Sequence, residues 1–246
     1  MLGFEFKAKN DDIYGIALGL SNANVYALVN TTNNTRVLGY NLMVYGANTL
    51  PRNYFAEWIV SGVINKNYGV RVFGINGTDL STSASYRGAL GGARVNFGKD
   101  FELNSAIQVS PVVMAQYVLV HQPSYDESNS VAALHVSTKN NQSIASIGAG
   151  MRLGVFNNDR WLYGTRELNA MVTYDVLSPS QVTTANFVVG SDAFTMTSAP
   201  ARLAVKLGAD CGFIVYKNLN LQFSYNYEMR SGYYNNFGEV KLRYLF

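Results

Sequence analysis

Histidine, cysteine and paired carboxylates are where chemistry would be sought first, and this chain is sparing with them. His121 and His135 are its two histidines, and both fall in one polar stretch with Asp126 and Glu127. A hydrolytic site would set a histidine between a carboxylate and a nucleophile. A structural metal site would need three or four ligands at tight spacing. Neither pattern is present, and these side chains read as solvated loop residues. Cys211 is the one cysteine, so an internal disulfide and a cysteine-based zinc site are both excluded. It falls on the apolar side of an alternating segment, where a small thiol packs like any apolar group. Glycine-rich phosphate loops, HExxH and CxxC are absent. The expectation is no catalytic residue, no metal and no cofactor.

What remains is charge, and its placement is regular. Glu5, Lys7, Glu57, Arg94, Arg152, Glu167, Arg202, Lys206, Asp210, Glu228, Glu239, Lys241 and Arg243 stand at the polar phase of segments that alternate at period two. At the C-terminal end Val240, Leu242, Tyr244 and Phe246 alternate with Glu239, Lys241, Arg243 and Leu245. Before it, Leu219, Leu221, Phe223, Tyr225 and Tyr227 alternate with Asn220, Gln222, Ser224, Asn226 and Glu228. The same phase holds upstream through Leu203–Val215, with less purity in the earlier segments. One departure stands out: Arg166 falls on the apolar side of its segment.

Composition says what such alternation is for. Charged residues are 14% of the 246, against about 25% in ordinary soluble domains. Hydrophobic residues reach 48% and aromatics 13%, yet the mean hydropathy is +0.00. A helical membrane protein would show apolar runs of about 20 residues, and none is present. Apolar content without apolar runs is how a sheet reads when one face meets lipid and the other water. The segments run about ten residues, the length of a tilted strand crossing a bilayer. The net charge of +3, without a basic cluster, excludes nucleic acid as a partner.

The connections point the same way. Residues 10–12, 47–52, 98–100, 157–159 and 217–218 read as short turns. Residues 25–35, 66–82, 121–142 and 177–200 read as long loops, with 230–233 a modest one. Short and long alternate, as in outer-membrane barrels. The expected fold is an all-β, antiparallel, transmembrane up-and-down β-barrel, a single domain over residues 1–246. About eleven strands can be counted, and bacterial barrels use even numbers. An unclosed edge in lipid would leave backbone groups unpaired at several kcal/mol each. A first strand, preceding Leu2 and pairing with the strand that ends at Phe246, is therefore expected. An extra strand within residues 182–197, pairing above the membrane through Phe187, Val189 and Phe194, is the alternative. No basic region followed by an apolar stretch opens the chain, so it is expected to be the C-terminal piece of a longer precursor.

The order and spacing of several motifs resemble the C-terminal translocator domain of type V autotransporters. Gly3-Phe4-Glu5 before Ile16-Ala17-Leu18-Gly19-Leu20-Ser21 resembles the opening hairpin of that family, and Leu42-Met43-Val44-Tyr45-Gly46 a later strand. Pro111 to Tyr117, Tyr125-Asp126-Glu127-Ser128 and the stretch Ser143 to Leu153 follow in the family's order. So do Phe194-Thr195-Met196-Thr197, Ala199-Pro200-Ala201-Arg202 and the closing Arg243-Tyr244-Leu245-Phe246. The likeness covers almost the whole chain; the family's first strand, the α-helix that threads its pore and the passenger are absent from it. The resemblance implies twelve strands and export of an N-terminal passenger to the bacterial cell surface.

It also implies partners: outer-membrane lipids, periplasmic chaperones, the barrel-insertion machinery, and the chain's own passenger and linker helix. Val240, Leu242, Tyr244 and Phe246 would be the strand that the insertion machinery reads. The thirteen charged residues would line the lumen, keeping it hydrated and satisfying one another between strands. The C-terminus would be periplasmic and the long loops extracellular. A small porin is the rival reading, but open aqueous channels usually need sixteen or more strands. A barrel enzyme is a weaker rival, lacking a catalytic constellation.

Overall fold

A chain whose apolar residues occupy every second position can bury them only by forming strands, and that is what it does. The computed structural model describes residues 2–8, 12–26, 33–75, 78–130, 132–138, 141–157, 164–188, 193–216 and 219–244. Among the described residues there are sixteen strands: β1 (Leu2–Lys7), β2 (Ile13–Tyr26), β3 (Asn34–Leu50), β4 (Tyr54–Ile75), β5 (Thr78–Lys99), β6 (Phe101–Asn104), β7 (Ile107–His121), β8 (Tyr125–Asp126), β9 (Leu134–Thr138), β10 (Asn141–Asn157), β11 (Gly164–Leu177), β12 (Gln181–Phe187), β13 (Ala193–Ser198), β14 (Leu203–Tyr216), β15 (Leu219–Arg230) and β16 (Tyr233–Tyr244). Eleven of them make one antiparallel sheet in the order β1-β2-β3-β4-β5-β7-β10-β11-β14-β15-β16, with β6 added against β7. Each pairs with its neighbour along the chain, the up-and-down arrangement that the alternation predicts. The outer strands are β1 and β16, and no ladder joins them among the described residues.

Exposure along the strands is inverted relative to a water-soluble sheet. Leu18 is 60% exposed while its neighbour Ala17 is 5%; Val172 is 50% exposed while Thr173 is 1%. The expected apolar phase is thus the outer face, from Leu2 through Leu242, and the polar phase is the inner one. Near the short turns the outer face carries rings. Tyr14 and Trp58 lie 6.3 Å apart, and both bond to Asn48: its amide donates to the Tyr14 hydroxyl at 2.6 Å and its carbonyl accepts from the Trp58 indole at 3.3 Å. Tyr54 stacks on Phe97 at 5.6 Å, and the Lys99 ammonium sits over the rings of Tyr54 and Phe101. Amphipathic rings at one level of an apolar wall form the girdle that a bilayer interface favours.

Several expected boundaries move. Residues 98–100 are not a turn: β5 passes through Asp100 into β6, and the chain reverses at Ser105 and Ala106. The hydrophilic Gly98-Lys99-Asp100 run resembles a turn, but its Lys99 is part of the ring belt. Residues 66–82 are not a loop either. The β4–β5 ladder runs unbroken from Tyr54↔Lys99 to Ile75↔Thr78, a hairpin that outreaches its neighbours. It reads as loop because, outside an apolar layer, neither face needs to be apolar. Arg230 belongs to β15, and the turn that follows is only Ser231 and Gly232, the glycine at φ 75°.

The two longest connections, 122–140 and 178–202, build a second sheet in the order β13-β12-β9-β8. Where the sequence offers one extra strand within 182–197 as an alternative, two form, β12 and β13, and they belong to this second sheet and not to the wall; Val189 lies outside the described residues. Leu134, Val136 and Ala185 make its small core, with Tyr125 against it. The sheet docks on the projecting β4–β5 hairpin. Arg71 donates twice to Glu127, at 3.1 and 2.6 Å, and Glu127 also accepts the Leu134 amide at 3.1 Å. Ser83 and Ser128 exchange backbone bonds, and Tyr86 stacks flat on Tyr125 at 4.1 Å. Burial there pushes the Tyr125 phenol up to about 12, with help from Tyr86 and Glu127.

The inverted faces yield a direct test. In a Cys211→Ala background, cysteines at Leu221, Phe223 and Tyr225 should react with a lipid-soluble maleimide in membranes, and those at Gln222 and Ser224 should be spared. The opposite phase of labelling would overturn the assignment of faces.

Candidate functional site

The inner face is where polar residues meet, and one contact fixes its shape. Glu57 on β4 accepts two hydrogen bonds from Arg152 on β10, at 2.6 and 2.5 Å. Between those strands stand β5 and β7, so the backbones are three strand spacings apart, roughly 14 Å in a flat sheet. The side chains meet because the sheet curls toward this face. Asn96 on β5 donates to Glu57 at 3.0 Å, and Arg94 donates to Asn96 at 3.0 Å. On the other side, Arg152 Nε lies 3.7 Å from Glu167 on β11. The guanidinium therefore sits between two carboxylates, each on a different strand.

A second cluster lies toward the long-connection end. Arg230 bonds Asp175, two strands away on β11, and reaches Glu228 at 2.7 Å. Asp175 is 2% exposed and also accepts from Ser146 at 2.6 Å. Lys206 lies 3.4 Å from Glu228, and Ser224 donates to Asp210. Near the β1 edge, the Tyr45 hydroxyl donates to Glu5 at 3.1 Å. Its ring crosses β2 directly over Gly15, where any Cβ would collide with it. Here the small residue is what lets an aromatic side chain lie flat along a curved wall.

The expected lumen residues are thus distributed as follows. Glu57, Arg94, Arg152 and Glu167 are brought together in the first cluster. Lys206 and Glu228 join the second, while Asp210 on β14 stands opposite Glu167 of the first in the backbone register. Glu5 and Lys7 stand on β1 at the edge, and Glu239 and Lys241 pair with each other at 3.5 Å on β16. Arg202 precedes β14 at the rim, exposed, its carbonyl accepting the Asp175 amide at 2.9 Å. Arg243 faces Asn220 in the backbone register, and its side chain lies outside the described residues. Val240 and Leu242 are 64% and 69% exposed on the outer face. Tyr244 is described in backbone only and Phe246 lies outside the described residues.

Asp175, Arg230, Asn96 and Arg71 are members of these networks that sequence reasoning did not single out. Arg230 continues the polar phase of Glu228 and Asn226, so extending the alternation by one step would have found it. Asp175 also has the right phase. Arg71 could not be found, since its partner Glu127 lies 56 residues away in another element. His135 and Asp126 do meet, Nδ1 to Oδ1 at 2.5 Å, and His121 contacts Asn141 at 2.9 Å. Both are exposed pairs. No group of three potential metal ligands occurs among the described residues.

The family model described as autotransporter β-domain matches residues 1–226. Among solved structures, the chain is similar to the β-domain of the Bordetella autotransporter BrkA. The TM-score is 0.60 at 19% identity, over 99% of this chain and 88% of that one. It is also similar to the transport unit of the autotransporter AIDA-I from Escherichia coli. There the TM-score is 0.43 at 12% identity, over 96% of this chain and 82% of that one. No curated protein matches the sequence.

The cross-wall pair should be measurable as a coupling. Glu57→Gln and Arg152→Met should each destabilise the folded barrel, and the double variant should be less destabilised than their sum. The expected coupling energy is roughly 0.5–3 kcal/mol, the range for contacting residues, reduced by the water that a polar passage admits. Denaturant midpoints in detergent would read it; strict additivity would show that the contact carries no stability.

Proposed function

We propose, for a chain that belongs to the autotransporter β-domain family, a division of labour between its two faces and its two ends. As a member it is a non-enzymatic domain of the bacterial outer membrane that translocates its own passenger. The finer reading concerns how. The charged inner face keeps the passage hydrated, while pairs such as Glu57–Arg152 leave few carboxylates or cations without partners. That matters for a transit route, because an unpaired charge would hold an oppositely charged segment in passage. The curl that brings Glu57 to Arg152 is the observation that carries this reading, since it makes one face a concave polar surface.

The short-turn end would face the periplasm and the two-sheet end the exterior. The last strand, with Val240, Leu242, Tyr244 and Phe246 on its outward phase, would be read by the insertion machinery before folding. Periplasmic chaperones would hold the chain until then. Lipid surrounds the outer face, and the linker helix would occupy the lumen beside the thirteen charged positions. An epitope inserted at 178–180 should then be detected on intact cells, and one at 51–53 only after permeabilisation. Deleting Phe246 should abolish the surface signal while leaving expression intact. Undiminished display of the deletion variant would sink the recognition reading, and the reversed epitope pattern the orientation.

The open sheet edges fit a twelfth strand. Eleven strands in strict antiparallel order leave β1 and β16 pointing the same way. A strand between them, antiparallel to both, would complete the ladders that lipid requires. Cysteines placed at Phe4 and Val240 should then fail to form a disulfide in the assembled barrel. Rapid oxidation of that pair would show that β1 and β16 touch directly.

A further inference from the structure

The outer face has one site that neither translocation nor wall packing explains. Arg166, on β11, points outward with the apolar phase, flanked in register by Val155 and Cys211. It is exposed, and it forms no ion pair or hydrogen bond with any other described residue. The carboxylates nearest in sequence and register cannot serve it. Glu167 faces Arg152 on the inner side, Asp210 accepts from Ser224 there, and Glu239 pairs with Lys241. A cation on a lipid-facing wall costs about 2–4 kcal/mol at the midplane and little near an interface. Arg166 lies close to the β10–β11 connection, at the short-turn end where the ring belt marks an interface.

Arg166 also lines a groove of about 620 Å³ on this face, whose floor takes in the strand positions between the outward side chains, Glu167, Asp210, Ser224 and Glu239. The groove crosses β10, β11, β14, β15 and β16, four strand spacings or roughly 19 Å. Leu153, Leu168 and Phe223 form its sides, and Ala209, Cys211 and Gly238 keep it open. A Cβ added at Gly238 would meet nothing within 4 Å. An unpartnered guanidinium thus joins an apolar channel as long as an extended acyl chain. We propose that this groove binds an anionic phospholipid, its phosphate on the Arg166 guanidinium and one acyl chain along the channel. A guanidinium fork matches two phosphate oxygens, and the chain gains apolar contact that a flat wall would not offer. The proposal requires the membrane setting, and is independent of how the barrel is inserted or oriented.

Cys211, the chain's single cysteine, lies on the groove wall and reports its occupancy. The full chain, folded in neutral detergent, is treated with N-ethylmaleimide in micelles containing phosphatidylglycerol or phosphatidylcholine at equal mole fraction. Phosphatidylglycerol should slow modification of Cys211 about tenfold more than phosphatidylcholine, the worth of one charge-assisted contact. Arg166→Gln should remove that difference. Gly238→Leu should remove it too, with Arg166 intact, by filling the channel. A cysteine at Val172 in a Cys211→Ala background, on the same face but outside the groove, should show no lipid preference. Folding of each variant is checked by its heat-modifiable migration. Equal slowing by both lipids, slowing that survives Arg166→Gln, or the same preference at position 172 would overturn the site. Equal slowing by inorganic phosphate alone would overturn the acyl-chain part, leaving only an anion contact.

Discussion

The structure depends on one constraint: inside a bilayer, each backbone N–H and C=O must find its partner within the protein. Helices can satisfy this strand-free, but this sequence has no apolar run to build one, and among the described residues no helix is long and apolar enough to cross a membrane. The remaining solution is a ladder shared between strands. Hence the strict neighbour pairing and the long unbroken registers such as β3 with β4. Where water can serve the backbone, the constraint lapses. It is there that β4 and β5 project beyond their neighbours and two long connections wander into a separate sheet.

Turning the sheet inside out has a cost that the inner face must meet. Polar side chains crowded on a concave surface lose water, and unpaired charges there are expensive. The chain answers by pairing across strands that are not adjacent. Arg152 on β10 reaches Glu57 on β4, three strands away, and Arg230 on β15 reaches Asp175 on β11, two strands away. Such bridges favour the curled sheet over a flat one, because only curvature brings the partners within reach. They are modest individually, as solvated ion pairs are, but each one couples strands that the ladder alone leaves independent. The small sheet beyond the wall is held by similar means, with the Glu127 carboxylate shared by Arg71 and the Leu134 amide.

The wall was legible in the sequence because period two is a local property, visible within one strand at a time. From Leu219 to Tyr227 the phase could be read without knowing any neighbour. The strand count and the alternation of short and long connections followed from it. What was not legible is whatever depends on two distant segments at once. Nothing local says that Arg71 meets Glu127, or that Glu57 meets Arg152 over two strands. Boundaries failed where the local signal changes meaning. Lys66 to Thr82 loses its apolar phase because it leaves the apolar layer, and it keeps its ladder all the same. Gly98-Lys99-Asp100 looks like a turn only until Lys99 is seen against Tyr54 and Phe101.

Arg166 shows the converse case, in which an exception to a local rule carries more information than the rule. Along β11 the outward phase is Leu168, Ala170, Val172 and Tyr174, and a cation before them breaks a pattern that the inner face keeps. Were Arg166 merely tolerated, the wall around it could be as smooth as elsewhere. Instead small residues stand at 209 and 211 on β14 and at 238 on β16, and the outer surface is hollowed there. Charge without a partner and volume without an occupant coincide at one place on a face where both are unfavourable. Lipid is the neighbour that this face has throughout the membrane, and an anionic lipid supplies both what the guanidinium lacks and what the hollow would otherwise leave unfilled.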